Sequence, residues 1–387
     1  MYRDAVAETK MIVAQGEFEL RRPHTPESSP LRAWSAADQL LLDELASGGL
    51  GRLLIVNDEF GALTVALAPH QPVVWSDSVL SRSAIAANLA ANGQAELAEE
   101  QIITGEQTPA GSFDTVLLRV PKTSALLDHQ LQAIGRGVTG SSRVVGTGMV
   151  RHIHRSTLAS FERWIGETKT SLAKRKARLI YADVAAAVAT TAPSTSVQSS
   201  EFVTDDGVTV VEMPGTFSAG HVDVGTALLI DVLRDVDPPA AGASVVDLGC
   251  GNGIVGASLA AQWRSASFEL LDVSDLAVAA AQKTWERNGL GSDATIRAAD
   301  GLTGVADASV DVVVTNPPFH QGHALDRDLT DRLLADAARV LAANGSAYVV
   351  VQRHLKLHAT MARWFDSVET ISKHPTHVVL EVRGPKR

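Results

Sequence analysis

The sequence predicts an α/β fold made of two tandem domains, each a parallel-rich sheet flanked by helices. Short Val/Leu/Ile runs alternate with Ala-rich stretches such as 83–91 and 276–285, the pattern of buried strands joined by helical crossovers. At 387 residues the chain is long for one domain and comfortable for two. The halves also echo each other. RLLIVNDEFGALTVALA (52–68) lies over ASVVDLGCGNGIVGASLA (243–260), and SFDTVLLRVPK (112–122) over SVDVVVTNPPF (309–319). That alignment sets Asp114 on Asp311 and Arg119 on Asn316. GSSRVVG answers GSAYVVV, and FERWIG (161–166) answers MARWFD (361–366). A duplication accounts for all four matches.

Taken in order, residues 1–30 lack periodicity and read as a loosely held extension. Residues 31–180 read as the first domain, the Ala/Thr/Ser/Pro-rich 181–200 as a linker, and 201–387 as the second domain. No uncharged apolar run of about 18 residues occurs, so no membrane span is expected. MYRDAVAETK has no apolar leader core. Cys250 is the single cysteine, which excludes an internal disulfide, and no Cys/His set has metal-ligand spacing. A monomer in the cytoplasm, without a metal, is expected.

The net charge of −10 argues against a polyanionic partner, but its distribution argues otherwise. Residues 1–200 hold 19 Lys+Arg against 20 Asp+Glu, whereas 201–387 hold 15 against 24. Within the first half, 143–178 carries nine basic residues and two acids. That local excess suits phosphates, or else a solvated helix face. Lys174, Arg175, Lys176 and Arg178 are its densest part.

In the second half, VVDLGCGNGIVG (245–256) joins a strand to a helix through Asp247, Gly249, Gly251 and Gly253. Glycines at this spacing let the chain turn sharply and approach a ligand, and the helix N-terminus attracts an anion. GNGIVG alone also fits a dinucleotide site, with Asp272 as the ribose acid. Asp247 and Gly249 ahead of it, and the motif at Asn316, favour a Rossmann-like methyltransferase domain using S-adenosylmethionine. Asp272 then accepts from the ribose hydroxyls, and Asp300 from the adenine amine.

VDVVVTNPPFH (310–320) ends a buried strand in Asn316, Pro317, Pro318 and Phe319. An exocyclic purine amine is a poor nucleophile because its lone pair is delocalised into the ring. The Asn316 amide oxygen and the Pro317 carbonyl can hold its two N–H bonds and turn the lone pair toward a methyl donor. The prolines fix those acceptors in advance, and Phe319 offers a stacking face. Positioning then does the work, without a strong base. A strand-ending turn is the plain alternative, but the glycine loop 63 residues before Asn316 makes it a poor one. The first half fails both tests, with Asn57-Asp58-Glu59-Phe60-Gly61 at the loop and Arg119-Val120-Pro121-Lys122 at the motif. It is expected to be degenerate, and to hold RNA phosphates through Arg119 and Lys122 or act structurally.

A degenerate half before an active half resembles the bacterial ribosomal RNA guanine-N2 methyltransferases. NPPFHQGHAL (316–325), VVQRHL (350–355), SLAKRKARLI (171–180), VPKTSALLDHQLQAI (120–134) and NDEFGALTVALA (57–68) are most similar to the large-subunit (23S) enzyme. The small-subunit (16S) relative shares the architecture but lacks the HAL and RHL elements. The resemblance runs from about residue 31 to the C-terminus. It implies methylation of one guanine amine in 23S rRNA, and places Phe217, Asp223 and Gly225 in the cofactor region. Ala219 stands where the family has a basic residue. His320 and His323 follow the motif; His320 suits RNA binding, and His354 suits packing. Two rival readings remain, a protein glutamine methyltransferase and an RNA-binding assembly factor without turnover.

Overall fold

The computed structural model describes residues 8–25, 29–45, 49–94, 97, 101–185, 197–216, 220–291, 293–317 and 324–386. The chain divides into two compact units, Met1–Gln198 and Ser199–Arg387.

The first unit runs β1 (Lys10–Val13), β2 (Gly16–Glu19), α1 (Ala36–Glu44), β3 (Leu53–Val56), α2 (Ala62–Ala66), β4 (Val73–Trp75) and α3 (Val79–Ala91). It continues through β5 (Ile102–Ile103), β6 (Thr115–Arg119), α4 (Ser124–Arg136), β7 (Arg143–Met149), α5 (Arg155–Trp164), β8 (Thr168–Thr170) and β9 (Ala177–Asp183). The second runs β10 (Ser200–Val203), β11 (Thr209–Glu212), α6 (Val224–Arg234), β12 (Ser244–Leu248), α7 (Ile254–Gln262), β13 (Ser267–Asp272) and α8 (Asp275–Arg287). Then come β14 (Ala294–Ala298), β15 (Val310–Thr315), α9 (Ala324–Val340), β16 (Leu341–Gln352), α10 (His358–Met361), β17 (Phe365–Lys373) and β18 (His377–Pro385).

Each unit builds a seven-stranded sheet, ordered β5-β4-β3-β6-β7-β9-β8 and β14-β13-β12-β15-β16-β18-β17. The first five strands of each are parallel, and the last two turn back as an antiparallel hairpin. The central strands are buried on both faces. Leu53 and Ile55 face one core while Leu54 and Val56 face the other, and Val246 and Val245 divide the same way. Strand order reverses between β3 and β6 and between β12 and β15, where the carboxyl ends of an open sheet leave a crevice.

The duplication extends to single hydrogen bonds. Asp114 accepts from the Arg52 N–H at 2.7 Å, and Asp311 accepts from the Ser244 N–H at 2.9 Å. Ser78 and Ser274 cap α3 and α8 alike. Asn92 clamps both backbone groups of Glu19, as Asn288 clamps those of Thr209. The hairpin β1–β2 is therefore the counterpart of β10–β11.

That hairpin corrects the expectation of a loose extension. Met11 and Leu20 are at most 1% exposed within the first core. The signal was alternation, Met11 with Val13 and Phe18 with Leu20, across a two-residue turn. The linker also begins later than expected, because Tyr181–Asp183 complete β9; residues 186–196 lie outside the described residues.

Candidate active site

The glycine loop between β12 and α7 is held from both sides. Gly249, Gly251 and Gly253 take φ of +71°, +56° and +78°, conformations that strain any residue with a Cβ. Asp272, ending β13, accepts from the Gly251 N–H at 2.9 Å and the Ser274 N–H at 3.0 Å. Burial raises its pKa against the pull of those bonds. Asp247 is 2% exposed and accepts from the Gly256 N–H at 2.9 Å, so it anchors the first turn of α7 to β12. Burial pushes its pKa up to about 7. A Cβ on Gly256 would sit 2.9 Å from Leu270 and 3.2 Å from Asp247, so a larger residue would have to displace those side chains.

A Cβ built on Gly249 or Gly251 meets nothing within 4 Å. The Gly249, Cys250, Gly251 and Gly253 N–H groups bond within the protein, so the loop offers open space above its glycines with a carboxylate, Asp272, on its rim. This fits S-adenosylmethionine, whose aminoacid carboxylate wants a helix N-terminus and whose ribose wants an acceptor. Asp300 follows β14 and accepts from Arg332 at 2.7 Å. Asp247 supports the loop from below rather than facing a ligand.

Asn316 follows β15 at the crevice. Its Nδ2 donates to the Thr226 hydroxyl at 2.9 Å and lies 3.4 and 3.5 Å from the Asp223 carboxylate oxygens. The Thr226 hydroxyl in turn donates to Asp223. Asp223 also caps α6, accepting from the Gly225 and Thr226 N–H groups at 2.9 and 3.3 Å. An ionised carboxylate only accepts, so the amide face toward it must be NH2. The Asn316 Oδ1 is thereby left as the acceptor. Pro317 is buried beside it. Sequence reasoning missed Thr226, whose signal was its place three residues after a capping Asp223.

Residues 8–186 match the family described as RLMG N-terminal domain, and residues 207–381 match the methyltransferase small domain. A ribosomal RNA large subunit methyltransferase G of Streptomyces coelicolor is 40% identical over 380 residues, covering 96% of this chain and 99% of its own. One from Pseudomonas aeruginosa is 38% identical over 371 residues, covering 94% and 97%. The chain belongs to the ribosomal RNA large subunit methyltransferase G family. It is an S-adenosylmethionine-dependent methyltransferase. A T. thermophilus 16S rRNA N2 methyltransferase, solved with AdoMet and guanosine, shares the fold at a TM-score of 0.75 and 23% identity, covering 99% of this chain and 100% of its own.

In this member of the methyltransferase G family the first unit has closed its copy of the site. By strand register Ser76 stands for Asp272, and by helix-cap position Ser35 stands for Asp223 and Asp38 for Thr226. Asp58 is fully buried and accepts from the Leu63 and Thr64 N–H groups, at 3.1 and 2.7 Å, and from the Thr64 hydroxyl. In the second unit the matching Gly256 N–H is held from β12 by Asp247, so the first unit has moved this carboxylate into the loop itself. Burial, reinforced by Asp38, raises the Asp58 pKa to about 6.

Arg119, read from sequence as a phosphate contact, is committed elsewhere. Its Nε lies 3.3 Å from Asp38 and its Nη2 3.2 Å from Glu59, with the side chain 19% exposed. Burial works against its charge, yet Asp38, Glu59 and Asp58 outweigh burial and its pKa is raised. Lys122 is exposed. Lys174 pairs with Asp43 at 3.2 Å. Arg175 and Lys176 form the tip of the β8–β9 turn with φ of +52° and +63°, and Arg178 is half-buried on β9. The basic stretch is thus spread over β7, α5, β8 and β9, not one helix face. His354 is exposed, contrary to a packing role. Phe217, Pro318, Phe319, His320 and His323 lie outside the described residues.

Proposed function

We propose that the chain transfers the methyl group of S-adenosylmethionine to N2 of one guanine in 23S rRNA. The observation that carries this reading is the fixed Asn316 amide: with Nδ2 held by Thr226 and Asp223, Oδ1 is preset to accept an N–H from a planar amine. The named activity of the similar Streptomyces and Pseudomonas enzymes supports a large-subunit rRNA substrate.

S-adenosylmethionine supplies an electrophilic methyl carbon. Asn316 Oδ1, together with the Pro317 carbonyl, holds the guanine N–H bonds so that the N2 lone pair faces that carbon. The C–N bond forms as the S–C bond breaks, and N2 then releases one proton to solvent. Preset acceptors need no reorganisation during this step, which is where the rate gain lies. Asp272 and the glycine loop hold the donor, while Phe319 stacks on the extruded base. A cytoplasmic location follows from an rRNA substrate, and no helix among the described residues is long and apolar enough to cross a membrane.

Tritiated methyl transfer onto separated 16S and 23S rRNA tests the proposal. Label is expected in 23S and absent with Asn316→Ala. Label confined to 16S rRNA, or appearing in protein glutamine, would overturn the substrate.

A further inference from the structure

Asn316 Oδ1 and the Pro317 carbonyl ask only for a planar amine. They would take adenine or a side-chain amide as readily as guanine, so another group must read the atoms beside the amine. The space next to Asn316 supplies one. A Cβ built on Gly225, in the first turn of α6, would meet Asp223 Oδ1 at 3.2 Å, Asn316 Oδ1 at 3.4 Å and His377 Cδ2 at 3.4 Å. The missing side chain thus leaves a small opening bordered by the amide acceptor and by an imidazole edge.

The first unit has lost this arrangement. By helix-cap position Ala37 stands for Gly225, and by strand register Ala177 stands for His377. Ala37 puts a methyl group where the opening would be, Ala177 has no ring, and both are at most 1% exposed. The opening and the imidazole therefore occur together in the unit that carries Asn316. They are absent together in the unit that carries Arg119.

His377 is held in place and in one tautomer. It opens β18 opposite Gln352. The turn ahead of it is closed by the His374 N–H to the His377 carbonyl at 2.8 Å and the Arg353 N–H to the Thr376 carbonyl at 2.9 Å. The Thr376 hydroxyl bridges two rings, 3.0 Å from His374 Nδ1 and 2.9 Å from His377 Nδ1. The Thr376 N–H also donates to His374 Nδ1, at 3.4 Å, so that nitrogen is an acceptor and takes the hydroxyl proton as well. The hydroxyl oxygen then accepts from His377 Nδ1–H. These partners assign neutral His377 the tautomer whose Nε2 carries a lone pair. Nε2 is bonded to the Cδ2 that borders the opening, and it has no hydrogen-bond partner among the described residues.

We propose that His377 Nε2 accepts the N1–H of the target guanine and so makes the site specific for that base. Guanine presents N1–H beside its 2-amine on the Watson–Crick edge, the edge by which an extruded base is read. Asn316 Oδ1, the Pro317 carbonyl and His377 Nε2 then meet the three N–H bonds of that edge. Adenine and a glutamine amide instead set a lone pair beside the amine, at N1 and at the carbonyl oxygen. That lone pair would face the one on His377. This deepens the guanine reading and rests on it, but it is independent of which rRNA carries the guanine.

Transfer kinetics of the full chain on a substrate analogue test the assignment. In RNA whose methylated guanine is replaced by 2,6-diaminopurine, the 2-amine remains while N1–H gives way to a lone pair. Wild type is expected to use this RNA roughly tenfold less well in kcat/KM, as when a hydrogen bond is replaced by an unpaired polar group. His377→Phe keeps a ring but loses the acceptor. It should lose roughly tenfold on guanine RNA and treat the two RNAs alike within about twofold. His377→Gln, which restores an acceptor, should recover part of the preference for guanine. Cofactor affinity by calorimetry should stay within about twofold in both variants, which general damage to the fold would not allow. Equal use of the two RNAs by wild type, or a full preference for guanine in His377→Phe, would overturn the proposal. A preference that depends on His377 but is found on 16S rRNA alone would uphold it and overturn the 23S substrate instead.

Discussion

At the end of β15 an amide, Asn316, is held by a hydroxyl and a carboxylate. At the end of β6, in the same register of the other unit, a guanidinium, Arg119, is held by two carboxylates. The sheets around them share strand order, capping serines and the asparagine clamp on the hairpin. The difference lies in what each polar cluster leaves free. Around Asn316 the donors are spent and an acceptor remains, which suits an amine. Around Arg119 the guanidinium is committed to two carboxylates of its own unit. Asp58 holds the helix end from within the loop, whereas in the second unit Asp247 holds it from β12 and the glycine loop above stays open. The same end of the sheet carries an ion cluster in one unit and a preset acceptor in the other.

The largest effect expected from breaking this comparison is at Asn316. Asn316→Ala should lower kcat on the order of a thousandfold, the range seen when one preset electrostatic partner is removed from a reacting centre. Cofactor affinity, measured by calorimetry, should stay within about twofold. A modest loss of kcat with a large rise in cofactor Kd would give Asn316 to the cofactor instead.

Arg119→Ala tests the other side. Asp38 is fully buried, and its Oδ1 has no hydrogen bond, relying on the Arg119 Nε for compensation. Removing the cation strands that carboxylate and should destabilise the chain by about 3 kcal/mol. Arg119→Asn with Asp38→Thr, which copies the second unit's pair, should recover most of the loss in thermal unfolding. A double variant as unstable as the single would mean that Arg119 acts through packing rather than charge.

These clusters mark where the sequence was legible and where it was not. The glycine loop and NPPF motif are contiguous, so local spacing revealed them, as Val/Leu/Ile runs revealed β3, β12 and β15. The charge of Arg119 was equally visible, but its partner Asp38 lies 81 residues away and no local pattern links them. Asp58 was visible only as a departure from the glycine loop; the structure turns it inward onto the Thr64 N–H. The β1–β2 hairpin escaped because two four-residue strands give a short alternation, and its clamp, Asn92, is distant in sequence.

Cofactor stoichiometry sharpens the comparison at an intermediate scale. Asp272→Ala should weaken S-adenosylmethionine binding by roughly 10- to 100-fold, the worth of hydrogen bonds to a charged acceptor. Ser76→Asp restores the acid at the matching position of the first unit, yet titration should still find one site per chain. Asp58 continues to hold the helix end there. A second equivalent bound by Ser76→Asp would show that the acid, and not the filled loop, was the decisive loss.

The smallest effect concerns the protonation of Asp58. Its folded pKa of about 6 lies above its ordinary 3.8, mainly through burial and next through Asp38. Between these values the folded chain keeps a proton that the unfolded chain has released. Stability therefore falls as pH rises through this window and levels off above pH 6. From pH 5 to pH 7 the part due to Asp58 is about 1 kcal/mol. Asp247 adds a fall of the same sign that continues to about pH 7 in the second unit. Asp58→Asn keeps an oxygen to accept from Leu63 and Thr64 but cannot ionise. Its calorimetric midpoint should therefore drop less than wild type between pH 5 and 7, leaving the Asp247 part in place. Parallel curves for the two proteins would mean that Asp58 is ionised throughout, with Arg119 supplying more compensation than its distance from the Thr64 end suggests. The closed site would then be an ion network extending to the loop, and Arg119→Ala should in that case destabilise more at pH 7 than at pH 5.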